Sequence, residues 1–460
     1  MSEQTLEEYI QAFPSPVEAL RALPFRSLYF PEVVTEFTNW RSEQQGWHDS
    51  AVILYQSNFI EDLFVWGPDA QKLFELSAVN RTDNLELNTA KQAIFTNPNG
   101  HFIGDVILAR YIDWKGRELY DYCGDEFILK WIEFNIQKHK LDVEFEYNVN
   151  VGKRRATGAL PAYYRYEIQG PNAYDVIEEA TGAPVPPTKF FHIAEFTIAG
   201  HRVLGVRHGM AGQKGFELFG PWEDEAEVNA AILEAGKKHG LMEAGVFSYF
   251  SSSKESGWFG SPLPAFYDDS MAEFRAWAPA SVASSLGGSF ESPNIEDYYV
   301  TPHEIGYTPF IKNDNDYVGK EALEAMADHQ QRQKVTLVWD ADQVGELFAD
   351  LGKPEKGLPP QLVIPVKAQY ALDQYDRVLS TEGEPLGISM WPSYLAPARK
   401  YLSLAVIDAK FAEPGTEILV EWGDSHTFPR SDVEPHRNVR VRATVAPVPY
   451  DLYSRNEYRK

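Results

Sequence analysis

The sequence predicts an α+β protein whose last part is a small β-barrel, and two observations support this fold class. A β-rich segment followed by Gly-Pro-Asx-Ala and a helical segment occurs twice, with turns at Gly67-Pro68-Asp69-Ala70 and Gly170-Pro171-Asn172-Ala173. Beyond residue 330, short β-rich segments alternate with turn residues, which is typical of a small barrel. Because 460 residues exceed a usual single domain, we predict an α+β body over residues 1–330 and a barrel domain over residues 331–460.

The repeated unit is a strand, a turn and a helix. Residues 60–66 and 164–169 are rich in β-forming side chains, and Gly-Pro breaks each strand. An Asx residue then lies near the first turn of each helix. We interpret the repeat as a duplicated unit within one α+β domain, although four matching residues could coincide by chance.

The other elements follow from periodicity and turn signals. Residues 102–110 and 118–122 are predicted to form a hairpin, and residues 126–139 an amphipathic helix with Phe127, Trp131 and Phe134 on one side. The polar segment 329–334 is the predicted linker. The barrel strands are predicted at residues 334–339, 383–389, 401–407, 417–422 and 439–446.

Composition excludes several classes of partner. The chain has 42 Lys and Arg against 67 Asp and Glu, a formal charge of −25, so it should repel nucleic acids and anionic membranes. Cys123 is the single cysteine, which excludes an intrachain disulfide and a multi-cysteine zinc site. The acidic first residues do not resemble a secretory signal, and no apolar run is long enough to span a membrane. We therefore expect a cytoplasmic protein.

Several common catalytic motifs are missing from the sequence. It contains no phosphate loop, no Gly-x-Gly-x-x-Gly opening a βαβ unit, no His-Glu-x-x-His and no Gly-x-Ser-x-Gly elbow. The 11 histidines are scattered, so we predict no metal site. Aromatic residues, at 13% of the chain, are abundant enough to line a pocket for flat rings as well as a core.

Residues 207–267 hold the densest set of carboxylates, glycine turns and aromatic residues. Alternation along a strand should place Phe216 and Leu218 on one face and Glu217 on the other. If that face lines a pocket, the carboxylate can accept two parallel N–H bonds from a 2-amino-4-oxopyrimidine edge. A solvated strand glutamate is the alternative interpretation of Glu217.

Four further residues also have open interpretations. Asp105 follows Gly104 in an apolar strand, where it either caps a turn or acts at a site. Tyr249 and Trp258 either line a pocket or pack in a core, and Glu255 beside them is either functional or a solvated loop acid.

The order of the motifs is more specific than any one of them, and it resembles the aminomethyltransferase (glycine-cleavage T-protein) family over roughly residues 25–450. Within the family, the chain is most similar to the tetrahydrofolate-dependent aryl O-demethylases of the vanillate and syringate type. Where the amine-releasing members usually read Gly-Tyr-Thr-Gly-Glu, this chain reads Gly-Met-Ala-Gly-Gln, which argues against glycine cleavage. The motifs that carry the resemblance are Glu36-Phe37-Thr38-Asn39-Trp40, Gln56-Ser57, Gly104-Asp105, Gln169-Gly170-Pro171, Arg207-His208-Gly209-Met210-Ala211-Gly212-Gln213, Gly215-Phe216-Glu217, Glu255-Ser256-Gly257-Trp258 and Thr301-Pro302-x-Glu304.

The resemblance implies a T-protein-like, folate-binding body, a ring of α+β subdomains around a central channel, followed by the small C-terminal β-barrel. It implies tetrahydrofolate as the methyl acceptor and a small methoxyaromatic molecule as the substrate, in a monomer or small homo-oligomer. Tyr249, with Tyr29 second, is the implied catalytic tyrosine, and Asp105 is the implied acid near the folate nitrogens. The implied cofactor-binding residues are Glu217, Trp258, Asp105, Arg207 and Gln213, and the implied substrate-side residues are Gln56, Phe59, Tyr29 and Asp125.

The chemistry of an aryl methyl ether supports a tyrosine independently of the resemblance. Phenolate is a poor leaving group, so displacement by N5 of tetrahydrofolate needs in-line geometry and a hydrogen bond or proton at the ether oxygen. Tyrosine, with a pKa of about 10, matches the departing phenol.

Two departures from the demethylases concern the substrate. An arginine that would clamp a benzoate carboxylate is expected near residues 123–126, where this chain reads Cys-Gly-Asp-Glu, and Phe59 replaces an expected polar residue or histidine. The substrate therefore either lacks that carboxylate or binds it elsewhere, and we predict a less acidic methoxyaromatic. Removal of a methyl group from sulfur or nitrogen, aminomethyl transfer, and folate binding without catalysis remain alternative functions.

Overall fold

The structure is a computed structural model that describes residues 4–24, 33–150, 161–260, 262–327, 329 and 331–460. Tyr29 lies outside the described residues. The described helices of five or more residues are α1 (Leu6–Ile10), α2 (Pro16–Ala22), α3 (Trp40–Asp49), α4 (Ala70–Ser77), α5 (Glu126–Lys138), α6 (Ala173–Thr181), α7 (Glu225–Gly236), α8 (Val246–Ser256), α9 (Ala272–Trp277), α10 (Lys320–Met326), α11 (Ala341–Leu351) and α12 (Leu452–Asn456). The strands are β1 (Ala51–Leu54), β2 (Glu61–Trp66), β3 (Thr89–Thr96), β4 (Phe102–Ile112), β5 (Glu118–Gly124), β6 (Glu144–Asn148), β7 (Tyr163–Gln169), β8 (Ile193–Ile198), β9 (His201–Val206), β10 (Gly215–Pro221), β11 (Leu241–Ala244), β12 (Leu286–Gly287), β13 (Arg332–Trp339), β14 (Asp373–Leu379), β15 (Pro385–Met390), β16 (Ser393–Leu395), β17 (Lys400–Asp408), β18 (Glu417–Trp422) and β19 (Val439–Ala446).

A six-stranded sheet in the order β11-β1-β7-β10-β9-β8 forms one side of the body. β7 and β10 are antiparallel neighbours near its centre, and Glu217 lies directly opposite Glu167. Phe216 and Leu218 point away from this pair into a core shared with Tyr164, as strand alternation requires. Both central strands are buried along their whole length, so polar residues on the other face lie inside the protein.

A five-stranded sheet in the order β3-β4-β5-β2-β6 forms the other side. Its β4 and β5 pair antiparallel, which confirms the predicted hairpin. Phe64, Tyr111 and Leu119 of this sheet pack with Val206 and Phe219 of the six-stranded sheet. The two sheets therefore share a core.

The two Gly-Pro turns have the same backbone geometry. Gly67 and Gly170 have φ angles of 124° and 128°, and each begins the turn from a strand into a helix. A side chain at either position would meet backbone atoms, at 2.9 Å from the Asp142 carbonyl oxygen and 2.5 Å from that of Ser50. Glycine is therefore required at both turns, and the predicted strand–turn–helix unit occurs once in each sheet.

The C-terminal strands close into a six-stranded barrel. The order β14-β15-β17-β13-β19-β18 is completed by pairing between β18 and β14. The predicted α+β body followed by a small β-barrel is thus confirmed. β13 begins at Arg332, so the end of the predicted linker is strand. β12 of the body also pairs with β14, and the division at residue 330 stays a prediction.

The body and the barrel enclose the candidate site between them. No helix within the described ranges is long and apolar enough to cross a membrane.

Candidate active site

A cavity of about 310 Å³ lies between the α+β body and the barrel. Four of the sequence-predicted site residues line it: Phe59, Asp125, Tyr249 and Trp258. The barrel side contributes polar and aromatic residues that no sequence motif indicated, namely Lys367, Gln369, Asp373 and Trp391. The volume lies at the lower end of the range for small-molecule sites, ~300–1,000 Å³.

Tyr249, in α8, lines this cavity. Its ring stacks on that of Phe59, with centroids 4.7 Å apart and planes at 11°. Within the described part of the chain, nothing forms a hydrogen bond with its hydroxyl. Burial, and next the charge of Asp125, raise the pKa of Tyr249 well above its usual value near 10. The hydroxyl is therefore neutral and free to donate a hydrogen bond to a bound molecule.

Trp258 connects the cavity wall to Asp105. Its indole Nε1 donates to Asp105 Oδ2 over 3.3 Å, and the hydroxyl of Tyr307 donates to the same oxygen over 2.8 Å. The amide of Gln92 donates there as well. Asp105 lies within β4 and is buried, so the alternative that it caps a turn does not hold.

Burial also affects the ionisation of the Asp105 carboxyl group. It raises the pKa of Asp105, and the hydrogen bonds from Tyr307, Gln92 and Trp258 oppose that change. The nearby amine of Lys334 donates to the Gly257 carbonyl over 2.9 Å. Burial lowers the pKa of Lys334 to about 8. Asp105 is thus a carboxylate with an increased affinity for a proton.

Glu217 is buried, with only 2% of its surface exposed, so the alternative of a solvated strand glutamate is wrong. Gln56 Nε2 donates to Glu217 Oε1 over 3.0 Å. His208 Nε2 lies 3.7 Å from the same oxygen, and Arg165 Nη1 lies 3.9 Å from Oε2. Burial lowers the pKa of His208, which makes a full ion pair with the histidine unfavourable.

Glu167, directly across from Glu217, is a second buried carboxyl that sequence reasoning missed. Its Oε1 accepts from the Ala211 backbone N–H over 3.0 Å, and its Oε2 accepts from Gln56 Nε2 over 3.3 Å. Burial, and next the charge of Glu217, raise the pKa of Glu167 to about 8. Near neutral pH Glu167 is therefore mostly protonated, because two adjacent buried carboxylates repel each other.

Arg165 provides the positive charge on this face. Its Nη2 donates to Asp62 over 2.8 Å and to Asp121 over 3.0 Å. Burial and the neighbouring Asp62 raise the pKa of Asp121 well above its usual range. Arg165, Glu167 and Gln169 alternate with Tyr164, Tyr166 and Ile168 in β7. This alternation in the sequence could have predicted that the polar residues of β7 lie on one face of the sheet, together with Glu217.

Arg207 and Gln213 contact the C-terminal tail. The Arg207 guanidinium donates to the Lys460 carbonyl over 2.7 Å, and Gln213 Nε2 donates to Asp451 over 3.2 Å. The Tyr458 hydroxyl donates to the Gly209 carbonyl over 2.7 Å and lies 3.1 Å from His208 Nδ1. In this structure the segment around residues 207–213 therefore anchors the tail beside the Glu217 cluster. Contacts of Arg207 and Gln213 with a cofactor stay predictions.

The structure thus brings most of the predicted residues to one region. Asp125 precedes α5 at the cavity, and Gln56 lies in the turn that carries Phe59. Glu167 and Glu217 do not line the cavity, but their charges, after burial and the charge of Asp125, contribute to the raised pKa of Tyr249. The role of Tyr29 stays a prediction.

Fold and site together define a T-protein-like enzyme scaffold, and the comparisons agree. The GCVT N-terminal domain family matches residues 23–260. The chain therefore belongs to the glycine-cleavage T-protein (aminomethyltransferase) family, as the sequence motifs indicated.

The chain is also similar to individual members of this family. It is 36% identical over 464 residues to the syringate O-demethylase of Sphingobium sp. (strain NBRC 103272 / SYK-6), covering 99% of this chain and 98% of that protein. It is 28% identical to the sesamin methylene transferase of Sinomonas sp. (strain No.22), covering 85% of this chain and 84% of that protein. The glycine cleavage system aminomethyltransferase T of Bartonella henselae has the same fold, with a TM-score of 0.61 and 15% identity over 94% of this chain and 95% of that one.

Proposed function

We propose that the protein is a tetrahydrofolate-dependent O-demethylase that transfers the methyl group of a methoxylated aromatic compound to N5 of tetrahydrofolate. The products are a phenol and 5-methyltetrahydrofolate. The observation that carries the proposal is the free hydroxyl of Tyr249 in a cavity walled by aromatic rings, beside a buried carboxyl cluster. The full-length similarity to a syringate O-demethylase supports it.

The cavity suits a flat methoxyarene. Phe59 and Tyr249 are already stacked nearly parallel, and Phe127 and Trp258 add further aromatic surface to the wall. Ring faces of this kind bind an aromatic substrate through apolar contact and fix its plane. Fixing the plane also fixes the direction from which the methyl carbon can be attacked.

Tyr249 acts on the ether oxygen. Charge develops on that oxygen as the bond to the methyl carbon breaks, so a hydrogen bond there is stronger in the transition state than in the bound substrate. The raised pKa makes Tyr249 a weaker acid than tyrosine in water. Of the two roles that a tyrosine can take at the ether oxygen, we therefore assign it that of a hydrogen-bond donor.

The carboxyl cluster suits the pterin edge. Glu217 can accept from two adjacent N–H groups, and the carbonyl Oε1 of Gln56 beside it is buried and accepts no hydrogen bond from any described residue. Both are acceptors, as a 2-amino-4-oxopyrimidine edge requires. The protonated form of Glu167 avoids an uncompensated second carboxylate at this place.

Asp105 completes the proton balance. Methylation of N5 gives up one proton, and the departing phenolate takes up one. A buried carboxylate with a raised pKa, already within reach of the Trp258 indole, is suited to receive the N5 proton. In the overall reaction the C–O bond breaks, the C–N bond forms and one proton moves from nitrogen to the phenol oxygen.

Product stoichiometry tests the proposal. The purified protein is incubated without oxygen with tetrahydrofolate and each of syringate, vanillate and guaiacol, and both products are quantified. We expect equal amounts of phenol and 5-methyltetrahydrofolate from at least one of them, and none when tetrahydrofolate is omitted. Phenol formed without tetrahydrofolate, or no demethylation of any of the three ethers, would contradict the proposal.

A further inference from the structure

Lys367 is a buried residue that lines the cavity. It precedes β14 on the barrel side and has only 8% of its surface exposed. Its Nζ lies 4.5 Å from the ring centroid of Phe250 and 4.0 Å from that of Trp391. Among the described residues it forms no hydrogen bond and no ion pair. A buried cation held only by ring faces is incompletely compensated.

The wall beside Lys367 contains another unused donor. The indole Nε1 of Trp391 is buried and has no acceptor among the described residues. Lys254 lies on the same indole, with its Nζ 3.2 Å from the ring centroid, but it has no surface in the cavity and donates to Ser253 Oγ over 3.2 Å. This end of the cavity therefore holds two unused donors, the Lys367 amine and the Trp391 indole, beside a buried acceptor, Asp373 Oδ2, that also has no hydrogen bond among the described residues.

Three charged groups act on Lys367. Asp125 and Asp373 also line the cavity, and neither forms an ion pair with the amine. Burial raises the pKa of Asp373 to about 7, so near neutral pH this acid is partly protonated. Burial lowers the pKa of Lys367 to about 7, whereas Asp125 and Asp373 act to raise it. Lys254 is the third group, and its own pKa is lowered by burial and by Lys367.

Lys367 and Tyr249 line the same cavity, and the Phe250 ring contacts both of them. The Phe250 ring, which Lys367 contacts, has its centroid 5.6 Å from that of Tyr249. A benzene ring bound in this shared cavity can present one substituent to Tyr249 and another to the Lys367 amine.

We propose that Lys367 binds an acidic group of the substrate, so that the preferred substrate is a methoxybenzoate with its carboxylate at the barrel end of the cavity and its methoxy group at Tyr249. This inference rests on the proposed function. It departs from the less acidic methoxyaromatic predicted from the sequence and favours the other possibility left by the missing arginine near residues 123–126: the carboxylate is present but is bound from the barrel side. A neutral methoxyphenol would leave the buried amine without an acceptor, whereas a carboxylate compensates its charge.

Equilibrium binding tests this assignment without requiring turnover. Vanillate and guaiacol, which differ by the carboxylate, are titrated into the full-length protein by calorimetry, with wild type, Lys367→Met, Lys367→Arg and Lys254→Met. We expect wild type to prefer vanillate and Lys367→Met to lose roughly tenfold or more of its vanillate affinity. Guaiacol affinity should change by less than about twofold, and Lys254→Met should leave both affinities within the same limit. Lys367→Arg, which keeps the cation, should retain most of the preference.

The outcomes separate this inference from the proposed function. Equal losses for both ligands in Lys367→Met, or a wild-type preference for guaiacol, would overturn the role of Lys367 even if the enzyme demethylates guaiacol. Preferential loss of vanillate binding would support it even if no methyl transfer is detected. Vanillate affinity in wild type should also fall as the pH rises through the pKa of the bound Lys367, and Lys367→Met should lack that fall.

Discussion

Replacing Tyr249 with phenylalanine removes one atom from the centre of the proposed mechanism. The phenyl ring can keep the stacking on Phe59, whose centroid lies 4.7 Å away. The hydroxyl has no partner in the described part of the chain, so its loss leaves no buried group unsatisfied. We therefore expect the melting temperature of Tyr249→Phe to match or slightly exceed that of wild type.

The expected effect on catalysis is large in comparison. Removing one hydrogen-bond donor from a developing oxyanion costs about 2.7–4 kcal/mol, which corresponds to a loss of about 10²–10³ in kcat. The Michaelis constant for the methoxyarene should change little, because the hydrogen bond forms mainly in the transition state. Tetrahydrofolate affinity should also be unchanged.

Steady-state formation of 5-methyltetrahydrofolate gives kcat and KM, and fluorescence titration gives folate affinity. Phe59→Leu is the matched control: it removes the stacked ring but keeps the hydroxyl, and it should raise KM more than it lowers kcat. A Tyr249→Phe enzyme with wild-type kcat would refute the role of the hydroxyl. Equal losses of kcat and thermal stability would indicate a structural role.

Three further predictions concern the buried carboxyls. Glu217→Gln should weaken tetrahydrofolate binding by roughly tenfold or more, because it removes a charge-assisted acceptor, and calorimetry should show methoxyarene affinity unchanged; an unchanged folate affinity would exclude Glu217 as the pterin ligand. Since burial raises the pKa of Glu167 from 4.5 to about 8, the folded protein keeps a proton that the unfolded chain releases, and this contribution to stability falls as the pH rises from 4.5 to about 8. Glu167→Gln should therefore raise the melting temperature relative to wild type more at pH 8 than at pH 5; a difference that does not vary with pH would contradict the assigned pKa. Asp105→Asn should lower kcat and remove the loss of rate at low pH, where Asp105 would be protonated; a low-pH limb unchanged in the variant would assign the base elsewhere.

The sequence was sufficient to predict those parts of the fold and the site that a local pattern determines. The alternation of Phe216, Glu217 and Leu218 predicted that Glu217 lies on the opposite face of its strand from the two apolar residues. The Gly-Pro turns predicted where two strands end and helices begin. These features depend on neighbours within a few residues, so no knowledge of the tertiary fold was needed.

Other features depend on contacts between distant segments. Glu167 becomes important only because β7 and β10 pair in the register that places it opposite Glu217. Lys367 belongs to no motif, and it reaches the cavity because the barrel closes against the body. The directions of Arg207 and Gln213 are set by the C-terminal tail, which their own motif does not encode.

The direct test of methyl transfer is to follow the carbon atom. A methoxyarene carrying ¹³C in its methoxy group is incubated with tetrahydrofolate and the wild-type protein, and the folate product is examined by NMR and mass spectrometry. We predict that the label appears as the N5 methyl group of 5-methyltetrahydrofolate, in the same amount as the phenol released. Label found as methanol or formaldehyde, with unlabelled folate, would contradict the proposed reaction.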